Sequence, residues 1–396
     1  MDSDSIVIVS AARTAVGKFN GALKEYSTSD LGGFAIKEAI ARAGVRPETV
    51  DEAIMGCEGG TGENAYMTRL AAVKGGMSYD SAALTVNRLC ASGLQSIVTA
   101  AMELQAGFSR ICVAGGAESM TNMPYFLEKA RFGYHYGPGA LQDNLHECLS
   151  DPFHHVHMGI TAENVAKKYG ITRGEQDEYA LLSQQRAKAA VLSGAFVEQI
   201  VPVTVTVGKH ETAVFEVDEH PRMNATLESL AKLKPAFLPD GTVTAGNSSG
   251  LNDAGAAVLM MKENLALEMG LRPMVRFRAA AVAGVDPLLM GTGPIPAVRK
   301  LLAQTGVRLE DIGVIELNEA FAAQTLACIR ELNLDPERVN TQGSGISLGH
   351  PVGATGCIIA IKAIYRMLHS EERYGLATLC VGGGQGMAAL FERCEN

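Results

Sequence analysis

Gly44-Val45-Arg46-Pro47-Glu48-Thr49-Val50 returns later in the chain as Gly306-Val307-Arg308-Leu309-Glu310-Asp311-Ile312. Each copy follows a helical pattern, residues 31–43 and 297–305. Each precedes an apolar strand pattern, Ala53-Ile54-Met55 and Val314-Ile315-Glu316-Leu317. Another strand-like run precedes each helix, at residues 6–10 and 274–282. Strands alternating with helices imply a mainly parallel sheet under helical cover. Two such sets in the same order imply a duplicated α/β domain.

Further along each half, a reactive residue stands beside small ones. Leu89-Cys90-Ala91-Ser92-Gly93 and Gly349-His350-Pro351-Val352-Gly353 occupy similar places. Both precede helical patterns, 94–104 and 355–367, and then strands at 111–114 and 377–381 that end in glycines. Between the halves the texture changes. Residues 121–250 carry Tyr134-His135-Tyr136 and Phe153-His154-His155-Val156-His157, a helix expected over 161–193, and a polar stretch over 208–244. This reads as an insertion that shapes a binding site. The expected division is a first α/β half over 1–120, the insertion over 121–250, a return to the core over 251–272, and a second half over 273–396.

The 396 residues are 47% hydrophobic and 19% charged, the balance of a globular protein large enough for two domains. The 43 glycines exceed the roughly 7% of average usage and signal tight turns. A net charge of −9 without a basic stripe excludes a nucleic-acid surface. An anionic substrate then needs local Arg or Lys. No apolar run reaches the length of about 18 that a membrane span requires. The acidic start Met1-Asp2-Ser3-Asp4-Ser5 resembles neither a signal nor a transit peptide, and Cys394-Glu395-Asn396 is not a peroxisomal signal. The expectation is a cytoplasmic protein. Its eight cysteines show no CxxC spacing, so free thiols are expected.

Cys90 lies just before a helical segment, where the helix N-terminus is expected to lower its thiol pKa. A buried structural cysteine is the plainer alternative. The glycine-bearing turn and a second thiol, Cys380, favour a nucleophile. His350, entering the next helix, is either a capping histidine or the base that takes the Cys90 proton. Cys380 ends an apolar strand and runs into Gly382-Gly383-Gly384, whose N–H groups suit an oxyanion or anion nest. A phosphate loop is disfavoured, because no Gly-Lys-Ser/Thr follows. Asn318 ends a strand, as a turn residue or as a neutral group holding a water or carbonyl. The histidines at 154, 155 and 157 lack a thiol or carboxylate at zinc spacing, and no metal is expected.

Together these residues resemble the thiolase family, the acyl-CoA C-acyltransferases. The likeness runs from Ala11-Ala12-Arg13-Thr14-Ala15-Val16-Gly17 to Cys380-Val381-Gly382-Gly383-Gly384-Gln385-Gly386. It includes Thr244-Ala245-Gly246-Asn247-Ser248-Ser249-Gly250, Asn318-Glu319-Ala320-Phe321-Ala322 and Gly349-His350-Pro351. The resemblance implies an α/β thiolase fold, a duplicated five-layered α/β/α/β/α core with an inserted loop domain. It implies Cys90 as the acyl-accepting nucleophile, His350 as its activator, and Cys380 as the acid or base at the substrate α-carbon. Asn318, with a water, and His350 would form one oxyanion site; the N–H groups of Cys90 and Gly382 would form the other. For coenzyme A it implies Leu149, His157, Met158, Ser249, Ala320 and Phe321 along the pantetheine, with Arg222 and Ser229 near the nucleotide.

The implied activity is reversible thiolysis of 3-ketoacyl-CoA, or condensation of two acyl-CoA, on acetoacetyl-CoA and short chains in fatty acid metabolism. No cofactor is implied, CoA thioesters being substrates, and the assembly is a homodimer or homotetramer. One departure, Gln342-Gly343-Ser344-Gly345-Ile346-Ser347, looks more like β-ketothiolases of broad chain length, as does Asp151-Pro152-Phe153-His154. A broad-range thiolase is therefore the first alternative. Decarboxylating ketoacyl synthases use a second His or Asn where this chain has Cys380. A non-catalytic CoA- or lipid-binding relative needs neither thiol. A dehydrogenase is disfavoured because no GxGxxG follows the first strand.

Overall fold

The computed structural model describes residues 5–209 and 211–394; the acidic start through Asp4 and the terminal Glu395-Asn396 lie outside the described residues. The first half supplies strands β1 (Ile6–Thr14), β2 (Glu52–Gly56), β3 (Ala82–Val86), β4 (Ile111–Ser119) and β5 (Asn252–Lys262). The second supplies β6 (Val275–Gly284), β7 (Ile312–Leu317), β8 (Tyr374–Val381) and β9 (Gln385–Arg393). Their order is β7-β8-β9-β6-β1-β5-β4-β2-β3. The halves meet where Val7 and Ile8 of β1 pair with Arg276 and Val275 of β6. From that seam outward each half repeats one order. The place of β3 is taken in the second half by a bridge between Ile315 and Val339.

The sheet is mixed, which corrects the expectation of a mainly parallel one. β2 pairs in parallel with β3 and β4, and β7 with β8. The last strand of each half, β5 or β9, runs antiparallel to both its neighbours. For β9 the cause is local. A loop of three glycines is too short for a crossover and allows only a hairpin.

The repeated heptapeptide has a physical basis. Helix α1 (Thr28–Ala43) buries Leu31, Ala35, Ile36, Ala39 and Ile40 on one face and starts at the Ser27–Asp30 capping box. It stops at Gly44 in the left-handed region, φ 65°. The equivalent helix in the second half, Pro294–Thr305, stops at Gly306 with φ 68°. A single 3₁₀ turn then leads into the strand in each case, Pro47–Thr49 or Leu309–Asp311.

Layering follows from three apolar clusters. One packs α1 against the outer face of the first half's strands, and another packs Pro294–Thr305 and Ala322–Leu332 against the second half's. Between the two halves of the sheet lie α2 (Ser92–Ala106) and the helix Val352–Leu368, in the largest cluster. The insertion differs from its expected single helix over 161–193. It forms α3 (Met158–Tyr169) and α4 (Arg173–Leu192), split where Gly170 turns left-handed at φ 62° and Thr172 opens a new capping box with Glu175. A buried ion pair, Arg13 with Asp218 at 2.7 Å, ties this insertion to β1.

The two central helices touch through glycine. A Cβ on Gly93 would lie 2.8 Å from the Cys357 nitrogen and 2.9 Å from the Gly353 oxygen. Gly93→Ala is predicted to destabilise the fold by about 1–3 kcal/mol through overpacking, although alanine favours an exposed helix by roughly 1 kcal/mol. Urea denaturation measures it; an unchanged or higher midpoint would mean that the contact yields freely.

Candidate active site

Cys90 sits on the turn from β3 into α2, and the turn is locked by its own sequence. Leu89 adopts a left-handed φ of 49°. Its N–H donates to Asn87 Oδ1 at 2.8 Å. Ser92 Oγ accepts from the Arg88 N–H at 2.9 Å and donates to the Leu89 oxygen at 2.6 Å. The sequence expectation of a lowered thiol pKa is overturned. Burial raises the Cys90 thiol well above the ordinary range, and the nearby Glu58 and Cys380 add to this. The N–H groups of Gly382 and of Cys90 itself are directed at the sulfur and oppose the shift. Desolvation outweighs the helix end here.

His350 is fixed from three sides. Its N–H donates to Asn252 Oδ1 at 2.9 Å. Its Nδ1 lies 2.7 Å from Thr355 Oγ1, and that hydroxyl donates to the Pro351 oxygen at 2.9 Å. The hydroxyl proton is thus committed, so Thr355 accepts from Nδ1–H and the free lone pair is on Nε2. Asn318 Nδ2 lies 3.4 Å from that Nε2. Burial lowers the imidazole pKa to about 4, so it rests neutral.

Cys380 lies near the end of β8, opposite Gly386 in the hairpin with β9. Gly383 and Gly384 have φ of 71° and 79°, which require glycine. A Cβ on Gly382 would stand 3.1 Å from Leu89 Cδ1 and 3.4 Å from Met158 Cε, so the loop rests on the Cys90 turn. Burial pushes the Cys380 thiol up to about 12. Its apolar surroundings are Met158, Ala162, Val243, Met290, Ala320 and Phe321. Across from it, Val352, two residues after His350, packs in one cluster with Cys90, Cys148 and Leu149. Residues from both halves therefore surround one site.

The residues expected along a pantetheine fall into two linked pairs of segments. Met158 donates its N–H to the Leu149 oxygen at 2.8 Å, and Ser249 to that of Ala320 at 2.9 Å. The His157 ring stacks on Phe237 at 4.9 Å, and Phe237 meets Phe321 edge-on at 6.2 Å. Arg222 and Ser229 are exposed and line a groove of about 430 Å³ with Met223, Asn224, Leu230 and Leu233. Sequence reasoning missed Phe237, Asn252 and Thr355. Thr355 carried a signal, since a hydroxyl one helical turn beyond a histidine is placed to orient it. Phe237 carried none within its polar stretch. Among the described residues, no three His, Cys, Asp or Glu side chains are grouped to hold a metal. His154 instead pairs with Asp151 at 3.0 Å.

Residues 6–264 match the family model "Thiolase, N-terminal domain", and residues 271–393 match "Thiolase, C-terminal domain". The chain belongs to the thiolase family. The chain is 50% identical to a protein named beta-ketothiolase BktB of Cupriavidus necator, over 98% of this chain and 99% of that one. It is 51% identical to an acetyl-CoA acetyltransferase of Escherichia coli, over 98% of each. The crystal structure of human mitochondrial 3-ketoacyl-CoA thiolase in complex with CoA superposes with a TM-score of 0.94, at 40% identity and 98% coverage of both chains.

A neutral buried imidazole in a thiolase has a thermodynamic signature. His350 titrates near 6.5 when unfolded and at about 4 when folded. The unfolded chain binds more protons between these values, so this contribution is complete above pH 6.5 and is lost as pH falls through 4. His350→Asn is predicted to reduce the pH slope of stability in that window by up to about 1.4 kcal/mol per pH unit. Urea titrations across the window check it, and equal slopes in both proteins would contradict it. His220, lowered to about 4 in the same way, leaves a residual slope.

Proposed function

We propose that this thiolase cleaves 3-ketoacyl-CoA with free CoA, and condenses two acyl-CoA in reverse, through an acyl group carried on Cys90. The observation that carries this is the meeting of the half-buried Cys90 with the buried Cys380 and with the Gly382 N–H. Both thiols rest protonated. As Cys90 Sγ attacks the 3-keto carbon, its proton passes to His350 Nε2. The C2–C3 bond breaks with its electron pair on C2, which takes the proton of Cys380 as acetyl-CoA forms. The thiol of an incoming CoA then attacks the Cys90 thioester, giving its proton to the Cys380 thiolate. His350 returns the first proton to Cys90.

Two oxyanions arise, and two donor sets are placed to receive them. The N–H groups of Cys90 and Gly382 point toward the Cys90 sulfur, which suits the oxygen of a carbonyl bonded there. Asn318, holding a water, and His350 would take the enolate oxygen of the other thioester. The high pKa of Cys380 makes its thiolate a strong base, as removal of a weakly acidic α-proton requires.

Leu149, His157, Met158, Ser249, Ala320 and Phe321 would line the pantetheine, and Arg222 and Ser229 the nucleotide end, where Arg222 brings a cation to a phosphate. The halves 1–120 and 273–396, with the return segment 251–272, would carry the chemistry, and the insertion 121–250 would hold the CoA together with Ala320 and Phe321. A homodimer or homotetramer is supported by the edge strand β3 with its exposed Leu84, and by exposed Tyr125, Phe132, Tyr136 and Leu141. A cytoplasmic place in fatty acid metabolism is part of the same proposal; no helix among the described residues is long and apolar enough to cross a membrane.

Cys90→Ser is predicted to abolish acyl-enzyme formation from acetyl-CoA, read by intact-protein mass spectrometry. Cys380→Ser should still acylate Cys90 yet slow condensation at least 100-fold, on the order expected for losing a positioned acid–base group. Condensation at the wild-type rate in Cys380→Ser would contradict its role. Thiolysis of acetoacetyl-CoA should exceed that of a longer 3-ketoacyl-CoA at equal free CoA; the reverse order would favour the broad-range reading.

A further inference from the structure

Glu319 follows Asn318, and its carboxylate is sealed from water, with 1% of the residue exposed. Three side chains satisfy it. Tyr179 donates its hydroxyl to Oε1 at 3.0 Å, Asn340 donates Nδ2–H to the same oxygen at 3.0 Å, and Ser183 donates to Oε2 at 2.6 Å. Tyr179 and Ser183 both belong to α4 of the insertion.

Asn340, left-handed at φ 49°, also brackets Leu317, accepting its N–H at 2.9 Å and donating to its oxygen at 2.7 Å. The residues on either side of Asn318 are thus tied together through one Asn340 amide, and Glu319 is held by α4 as well. Gly345 closes the remaining space: a Cβ there would stand 2.6 Å from the Glu319 oxygen and 2.8 Å from Asn318 Oδ1. Helix α4 holds the far flank too. Asp177 accepts from Asn247 Nδ2 at 2.9 Å, and the Asn247 oxygen accepts the Ala322 N–H at 2.9 Å. Two turns further on, Gln184 accepts the Arg222 N–H at 2.7 Å.

The contact this scaffold serves is sensitive. Asn318 Nδ2 and His350 Nε2 are 3.4 Å apart, at the outer limit of a hydrogen bond, where a few tenths of an ångström decide its strength. We propose that Glu319 is a positioning residue for Asn318, and that through it the inserted helix beneath the Arg222 groove sets the geometry of the Asn318–His350 oxyanion site. This rests on the oxyanion role proposed above for Asn318.

The test is thiolysis of acetoacetyl-CoA by Asn318→Ala, Glu319→Ala, Glu319→Gln and the Asn318→Ala/Glu319→Ala double variant. Asn318→Ala should lower kcat roughly 100-fold, the loss typical of one oxyanion donor. Glu319→Ala should lower kcat about 10-fold, with KM for CoA and acylation of Cys90 by acetyl-CoA within about two-fold of wild type, and should cost no further rate in the Asn318→Ala background. Glu319→Gln should recover most of the loss, because its oxygen keeps the Tyr179 and Asn340 bonds while its amide donates to Ser183. Tyr179→Phe removes one of the bonds and keeps the ring volume, and should lower kcat several-fold if the alanine variant does not fold. Multiplicative losses in the double variant, or Glu319→Ala and Tyr179→Phe at wild-type kcat, would overturn the proposal. Wild-type rates in Asn318→Ala would overturn it together with the oxyanion reading, and this outcome is distinct from the other two.

Discussion

The structure depends on the contact between two helices whose N-terminal ends meet through glycine. Gly93, at the start of α2, lies against the backbone of the helix Val352–Leu368, and a Cβ on Gly116 would stand 2.2 Å from the Gly353 oxygen. Interiors are packed too densely to absorb an added methyl there without movement. The approach matters because each helix begins just after its reactive residue. Cys90 precedes one by two residues and His350 the other by two, so a close crossing at their N-terminal ends brings a thiol and an imidazole from separate halves to one place. Duplication supplies the symmetry, and the small residues at its axis supply the site.

Burial at that axis sets the electrostatics. Charge is tolerated deep in this protein where it is paired, as in Lys362 with Glu316 at 2.7 Å and Arg13 with Asp218. Around Cys90 no cation among the described residues compensates: the side chains that shift it, Glu58 and Cys380, both raise its pKa, and only the Gly382 and Cys90 N–H groups oppose them. Thiols and imidazole are therefore driven to their neutral forms. In the proposed mechanism a neutral Cys90 thiol and a neutral His350 base would be inert until a carbonyl arrives to accept the developing bond, which would protect the site.

Much of this was legible in the chain. The heptapeptide that contains Gly44 or Gly306 announced the duplication, because both glycines end helices in a conformation other residues resist. The motifs around Cys90, Asn318, His350 and Cys380 marked the positions that the fold gathers. The direction of the last strand in each half was not legible. β5, with Asp253, Gly255 and its alanines, has neither the alternation nor the β-branched content of a typical strand, being buried on both faces. The Cys90 pKa was misjudged for a related reason: a helix start is visible in sequence, whereas the depth of burial around it is a tertiary property. The polar partners on α4 were invisible for the same cause, since Tyr179 and Ser183 acquire meaning only beside Glu319.

The central claim is that catalysis starts from an uncharged thiol and an uncharged imidazole. The rate of Cys90 alkylation by iodoacetamide as a function of pH, followed by peptide mass mapping, tests it directly. The account predicts slow alkylation at neutral pH and a rate that climbs past the ordinary thiol value of about 8.5. A rate already at its plateau between about pH 6 and 8 would mean a preformed thiolate–imidazolium pair and would contradict the account.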